Sequence, residues 1–177
     1  QVERCNEILK RLTLNPVEED EFIDKDINIR DYLHEIISSF KEISKKDFVF
    51  NFDQDSNPKK ISKSIEIVYG LRNFIGNANK FAKNTIFINL KSDSEITEIT
   101  VEDDGNGYPR DIISKIGEPY LKSNYSNDKS KQGLGLGLFI GKTLLEKNFA
   151  SVNCRNSKTR GGAEVIIKWK NKDLFNV

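Results

Sequence analysis

Seven of the eleven glycines in this 177-residue chain fall between Gly105 and Gly141. Glycine loses more backbone freedom on folding than any other residue, so such a stretch needs tight curvature or a closely approaching surface. Two clusters sit at element boundaries: Asp103-Asp104-Gly105-Asn106-Gly107 follows a strand pattern, and Gly133-Leu134-Gly135-Leu136-Gly137-Leu138 opens a helix pattern. A carboxylate at a strand end can accept a hydrogen bond from an exocyclic amine, while two glycines let the backbone approach a planar ring. The plain alternative is a turn, since Asp-Gly and Asn-Gly are common turn dipeptides. Alternating glycines at a helix start expose amides to phosphate, and the helix N-terminus favours the negative charge. Between the clusters, residues 118–132 are rich in Ser, Asn, Asp and Lys and read as a closing lid. Neither a Gly-x-x-x-x-Gly-Lys-Ser/Thr phosphate loop nor a dinucleotide fingerprint occurs.

The rest of the pattern surrounds these clusters with regular elements. Residues 27–29 read as a short strand and 31–43 as a helix with Leu33, Ile36, Ile37 and Phe40 on its apolar side. Phe48, Phe50 and Phe52 alternate as in a half-buried strand. A long helix is expected over 61–83, strands over 85–91 and 96–102, a helix over 138–147, and strands over 151–156 and 163–169. Ahead of this region, Val2, Cys5, Leu9 and Leu12 keep the spacing of a heptad seam, too short to be stable alone. Asn15-Pro16 stops it, and the acidic stretch from Val17 to Asp26 reads as a solvated linker. The expected boundaries are a helix end at 1–15, a linker at 16–26, a domain at 27–172 and a tail at 173–177.

On the long helix, Val68, Leu71, Ile75, Ala78 and Ala82 form one apolar stripe, and Asn73, Asn77 and Lys80 a second on the opposite side, at about 100° per residue. Two amides and an ammonium supply several donors, and an amide carbonyl is hard enough for Mg²⁺. That set suits a nucleoside triphosphate. A merely wet outer face is the alternative on this helix alone.

Composition removes other classes. Twenty-eight Lys+Arg against 27 Asp+Glu leave a formal charge of +1, without the basic excess of a nucleic-acid binder. Two cysteines and one histidine are too few for a disulfide framework or a zinc site. No apolar run has the length of a membrane span. The start at Gln1 and the lack of Met read as a piece of a longer protein.

The ordered set Asn73-Phe-Ile-Gly-Asn77-Ala-Asn-Lys80-Phe81, Asp103-x-Gly105-x-Gly107, Glu118-Pro119-Tyr120 and Gly133-x-Gly135-Leu136-Gly137-Leu138 resembles the N, G1, F and G2 boxes of sensor histidine kinases, over roughly residues 27–170. The resemblance implies an α+β fold, a two-layer α/β sandwich of the GHKL (Bergerat) type. Its sheet is mixed and mostly antiparallel, packed on helices, with ATP under a flexible lid, and the end of a dimerisation helix precedes it. It implies that Asn77 ligates Mg²⁺ and that Asn73 and Lys80 contact the phosphates, with Asn77 and Lys80 serving catalysis. Asp103 would read the adenine amino group, Gly105 and Gly107 would make room for the ring, and Gly133, Leu134, Gly135, Leu136 and Gly137 would shape the phosphate side of the lid. The implied partners are a response regulator and a second copy joined through the upstream hairpin. The implied location is the cytoplasmic portion of an inner-membrane sensor. Gly117-Glu-Pro-Tyr120, Gly133-Leu-Gly-Leu-Gly-Leu-Phe-Ile140 and Gly161-Gly-Ala-x-Val165 look like the RegB/PrrB redox-responsive group, which implies a redox-switch role for Cys5 within Gln1-Val2-Glu3-Arg4-Cys5. A small buried seam residue is the other reading of Cys5.

Two departures stand out. Position 76 is Gly where these kinases usually carry Glu or Asp, which leaves an impaired nucleotide-binding scaffold or phosphatase as an alternative. No acceptor box is present: His34 precedes Glu35, but it lies past the linker and lacks the following Pro, so a structural role is expected for it. A gyrase- or Hsp90-like ATPase would carry Glu at position 73; Asn73 is there instead, and an amide is no general base.

Overall fold

Three neighbouring strands alternate between buried and more exposed residues, and their buried residues define the inner face of a sheet. The computed structural model describes residues 27–53, 60–61, 64–119 and 136–174. In β4 (Thr85–Ser92) the buried residues are Ile86, Ile88, Leu90 and Ser92; in β5 (Ile96–Asp103) Thr97, Ile99, Val101 and Asp103 face the same way. In β7 (Ala163–Lys170) Ala163, Val165, Ile167 and Trp169 continue that face. With β2 (Asp47–Phe52) and β6 (Ser151–Asn156) at the edges, the order is β2-β4-β5-β7-β6. The β2–β4 pairing is parallel and the others are antiparallel. One register row runs Phe50–Ile88–Val101–Val165–Cys154 across all five strands. Burying each large aliphatic chain in such a row contributes about 1.5–3 kcal/mol.

The helices α1 (Ile29–Lys41), α2 (Ile65–Phe81) and α4 (Gly137–Lys147) supply the second layer. Leu33, Ile36 and Ile37 of α1 join Val68, Leu71, Ile75 and Ala78 of α2 and Leu145 of α4 in one core with the inner sheet residues. This is an α+β two-layer sandwich, as the resemblance implies. Two short helical turns, α3 (Arg110–Ile113) and α5 (Asn171–Leu174), and a two-residue ladder of β1 (Ile27–Asn28) with β3 (Lys60–Ile61) complete the described elements.

Several boundaries differ from the sequence reading, each for a local reason. The long helix starts at Ile65 rather than 61 because Lys60 and Ile61 pair with β1, and Ser64 caps it by accepting the Ile67 N–H at 3.4 Å. The first helix starts at Ile29 because Asn28 accepts the Arg30 N–H at 2.9 Å. Where the sequence reading begins a tail at residue 173, a helical turn runs on to Leu174, which is buried. The seam with Cys5, the linker, residues 120–132 of the expected lid, and Gly133, Leu134 and Gly135 lie outside the described residues.

Helices α2 and α4 approach through glycine. A β-carbon on Gly70 would lie 2.6 Å from Leu145 Cγ, and one on Gly141 would lie 3.0 Å from Phe74 and 3.1 Å from Asn73 Cβ. The far end of α2 is tied by side chains. Lys46 Nζ donates to the carbonyls of Asn79 and Ala82, and the Asp104 carboxylate accepts the N–H groups of Lys83 and Asn84. The C-terminus of α4 closes differently: Phe149 N–H donates to Glu146 O at 3.1 Å and Ala150 N–H to Leu145 O at 3.0 Å, with Phe149 at φ 62°. That is a Schellman closure with a phenylalanine in the left-handed position that glycine usually fills.

The two glycines of α2 should therefore respond oppositely to substitution. Gly70→Val forces Leu145 out of its place and is expected to cost about 1–3 kcal/mol. A β-carbon at position 76 meets only the Phe40 ring, at 3.4 Å, so Gly76→Ala is expected to add up to about 1 kcal/mol through helix propensity. Urea unfolding of the two variants measures both changes.

Candidate functional site

The inward row of β5 reads Thr97, Ile99, Val101, Asp103, so the last inward position of a core strand is a carboxylate. Asp103 is 2% exposed. Its Oδ1 accepts the N–H of Gly105 at 2.8 Å and of Ala163 at 3.2 Å. Burial pushes its pKa above the usual carboxylate value; those two hydrogen bonds and the Lys46 charge oppose the shift, and Asp104 adds to it. The neighbouring Asp104 goes the other way, held below the usual value by backbone N–H groups of Asn84, Thr85 and Lys83 against a larger desolvation contribution. Two adjacent aspartates thus separate into a buried, proton-retentive one and a helix-end cap.

Space around Asp103 is cleared by glycines. A β-carbon on Gly105 would stand 2.4 Å from the Phe81 carbonyl and 2.7 Å from Asp103 Oδ1. One on Gly162 would stand 2.0 Å from the Asp103 carbonyl and 2.4 Å from Oδ1. Gly107 takes φ +73°, and a β-carbon there would meet the Asn156 amide at 2.7 Å. Asn156 holds this loop at two points, accepting the Tyr108 N–H at 2.6 Å and donating to the Tyr108 carbonyl at 3.1 Å. Sequence reasoning assigned no site role to Gly162 or Asn156. The Gly161-Gly162 pair was a visible signal, whereas Asn156 is a strand-end amide whose partner lies 48 residues away.

Helix α2 links the two glycine clusters. Its last residue, Phe81, abuts Gly105, and Asn73, eight residues earlier, abuts the start of α4, where Asn73 Oδ1 lies 3.6 Å from a β-carbon position on Gly137. Asn73 Nδ2 donates to Tyr69 O at 2.8 Å, which fixes the amide orientation. Asn77 and Lys80 are half-buried on the same helix, four and seven residues after Asn73, with Lys80 Nζ 5.3 Å from the Phe81 ring centroid. Leu136 stands at the N-cap of α4 and Gly137 opens it. The structure therefore brings Asp103, Gly105 and Gly107 to one end of α2, and places Asn73 beside Gly137 at the start of α4.

Three further positions are placed by the structure. Gly76 faces Phe40 of α1, whose ring also carries the Arg72 guanidinium at 5.3 Å. His34 is exposed on α1 with its ring edge-on to Phe50 at 4.8 Å, a packing contact. Burial pushes the Cys154 thiol up to about 11, which makes it unreactive at neutral pH.

Comparison with known proteins agrees with this arrangement. Residues 62–173 match the family described as histidine kinase-, DNA gyrase B-, and HSP90-like ATPase. The chain is 37% identical over 108 residues to the sensor histidine kinase RegB of Cereibacter sphaeroides, covering 58% of this chain and 23% of that protein. It is 27% identical over 111 residues to the sensor histidine kinase CpxA of Escherichia coli, covering 63% and 23%. The chain thus spans under a quarter of the length of these relatives. Among solved structures, the mycobacterial sensor histidine kinase MprB superposes with a TM-score of 0.68 at 17% identity, covering 81% of this chain and 96% of that one. Full-length ShkA in complex with AMPPNP superposes with a TM-score of 0.66 at 20% identity, covering 82% and 30%. The same fold, and a family match across α2, the Asp103 loop and α4, place this chain in the histidine kinase-, DNA gyrase B- and HSP90-like ATPase family.

Proposed function

We propose that this chain is the ATP-binding catalytic domain of a two-component sensor histidine kinase. It would transfer the γ-phosphoryl of ATP to a histidine on a dimerisation helix outside these 177 residues, from which a response regulator receives it. The observation that carries this reading is the buried Asp103 carboxylate, with Oδ1 committed to backbone and its surroundings cleared by Gly105 and Gly162. Such a carboxylate can accept a hydrogen bond from an exocyclic amine, and the cleared backbone beside it leaves room for a planar ring.

In this reading the adenine amino group donates to Asp103, and the ring lies against the backbone of the Gly105–Gly107 loop. The triphosphate then runs along the polar face of α2 toward Asn73, Lys80 and the N-terminus of α4, whose unpaired amides favour negative charge. The amide carbonyl of Asn77 is the hard oxygen donor that fits Mg²⁺, which would neutralise charge between the phosphates. Asn73, its amide tied to Tyr69, offers no general base to activate water. That favours transfer to a positioned acceptor over hydrolysis. Parent-protein features follow from the same reading: a homodimer through the upstream hairpin, a membrane-anchored sensor with this domain on the cytoplasmic side, and redox control through Cys5. Among the described residues no helix is long and apolar enough to cross a membrane.

The direct test is γ-labelled ATP with Mg²⁺ and a protein extended upstream through its histidine helix. Acid-labile, alkali-stable label that disappears in Asn77→Ala is the expected result. Nucleotide binding without label transfer would refute the kinase reading in favour of a scaffold or phosphatase.

Asp103 gives a second test with opposite signs in two measurements. Its raised pKa means that the ionised form costs stability at neutral pH, a cost relieved as pH falls through that pKa. Asp103→Asn keeps an acceptor for Gly105 and Ala163, so Tm at pH 7 is expected to hold or rise. Nucleotide affinity by calorimetry is expected to drop about 10- to 100-fold, the loss of one charged hydrogen bond. Wild-type affinity should weaken on acidification starting at a higher pH than an exposed aspartate would give.

For Cys5 the check is a disulfide between two copies, two thiols giving up two protons and two electrons to added diamide. Non-reducing electrophoresis should show a covalent dimer that Cys154→Ser retains and Cys5→Ser abolishes.

A further inference from the structure

The end of α4 far from Gly137 carries an expensive residue. Asn148 ties that corner together: its side chain accepts from Ser64 Oγ at 3.2 Å and donates to Glu66 Oε2 at 2.8 Å, and its carbonyl accepts Trp169 Nε1 at 3.0 Å. Phe149 follows in the left-handed conformation and is 59% exposed. A β-carbon is disfavoured at that backbone position, and a phenyl ring in water gains nothing from burial. A residue that is strained and also wasteful as core points to a use elsewhere. Ile65, next to Ser64, is equally exposed at 59%. The two apolar side chains therefore flank a hydrogen-bonded pair, Ser64 and Asn148, on one corner of the domain.

The incoming chain arrives at that corner. Ile27 pairs with Ile61, three residues before Ser64, and the Tyr32 hydroxyl donates to the Ser64 carbonyl at 2.9 Å. The residues just ahead of Ile27 are acidic, six Asp or Glu from 18 to 26 against Lys25 alone, interrupted by the apolar pair Phe22-Ile23. Phe22 is five residues from Ile27, a reach of at most about 17 Å.

We propose that Phe149 and Ile65 form a dock for the chain's own preceding segment, residues 17–26, with Phe22 and Ile23 as the side chains seated on it. The acidic neighbours stay in water while the apolar pair is covered. Docking there would fix how the preceding chain meets the domain, and the proposal holds whatever reaction the domain performs.

Hydrogen exchange with mass spectrometry on the 177-residue chain tests this. Amides of residues 18–26 are expected to exchange at least about tenfold more slowly than in a synthetic peptide of residues 15–28. Phe149→Gly suits the left-handed position, so the variant folds, and it should bring those amides to the peptide rate. Phe149→Leu keeps an apolar side chain and should retain the protection. A wild-type segment that exchanges like the free peptide overturns the proposal, as does protection that survives Phe149→Gly. Protection that grows with protein concentration, with a dimer in sedimentation lost in Phe149→Gly, also overturns it and assigns the corner to a second copy.

Discussion

The contact between α2 and α4 at Gly70 and Gly141 fixes the rest of this molecule. With no side chain at either position, the two helices come close enough for Leu145 to sit over Gly70 and for Asn73 to stand beside the opening residue of α4. A larger residue would separate the helices and move the amide face of α2 away from the N-terminus of α4. The other end of α2 is fixed by charge: Lys46 holds its last carbonyls and Asp104 its trailing amides. Packing at one end and capping at the other leave α2 little freedom, and the candidate site is strung along it.

Charge is managed differently on the outer face of the sheet. Glu102 and Glu164 are direct cross-strand partners on β5 and β7 and are both buried, an arrangement that repulsion alone would disfavour. Arg160 stands 3.5 Å from Glu102 and covers the Phe87 ring, Arg155 pairs with Glu164, and Ser157 donates to Glu102 at 2.7 Å. The end of β6 and the turn that follows it therefore compensate two acids, next to Gly161 and Gly162, which bring β7 up to Asp103. The outer charges and the inner site share one turn.

How much of this the sequence shows depends on how local the cause is. Strand β6 occupies Ser151–Asn156 as its alternation predicts, and the apolar stripe of α2 is buried at Val68, Leu71, Ile75, Ala78 and Ala82. Those are nearest-neighbour signals. The start of α2 is not legible because its boundary depends on β1, whose Ile27 and Asn28 take Ile61 and Lys60 into a ladder from far upstream. The role of Lys46 is unreadable for the same reason: a lysine in a polar turn looks solvated until the helix end it caps is in place. At the site, the Asp-x-Gly-x-Gly spacing marks the place, but the physical demand on Gly105 is the Phe81 carbonyl, a contact that no motif states. Gly162 is the mirror case, a glycine in an apparently ordinary turn that proves to face the key carboxylate.

The position of Asp103 within its hairpin has a kinetic consequence. Strands β4 and β5 join through a turn in which Asp93 accepts the N–H groups of Glu95 and Ile96, and Asp103 lies at the open end, opposite Ile86. A hairpin that zips from its turn brings the aliphatic pairs together first and encloses the carboxylate last. In a hairpin that closes in that order, desolvation of Asp103 belongs to the last contacts, and a cost met after the rate-limiting step acts on the rate of unfolding rather than on that of folding.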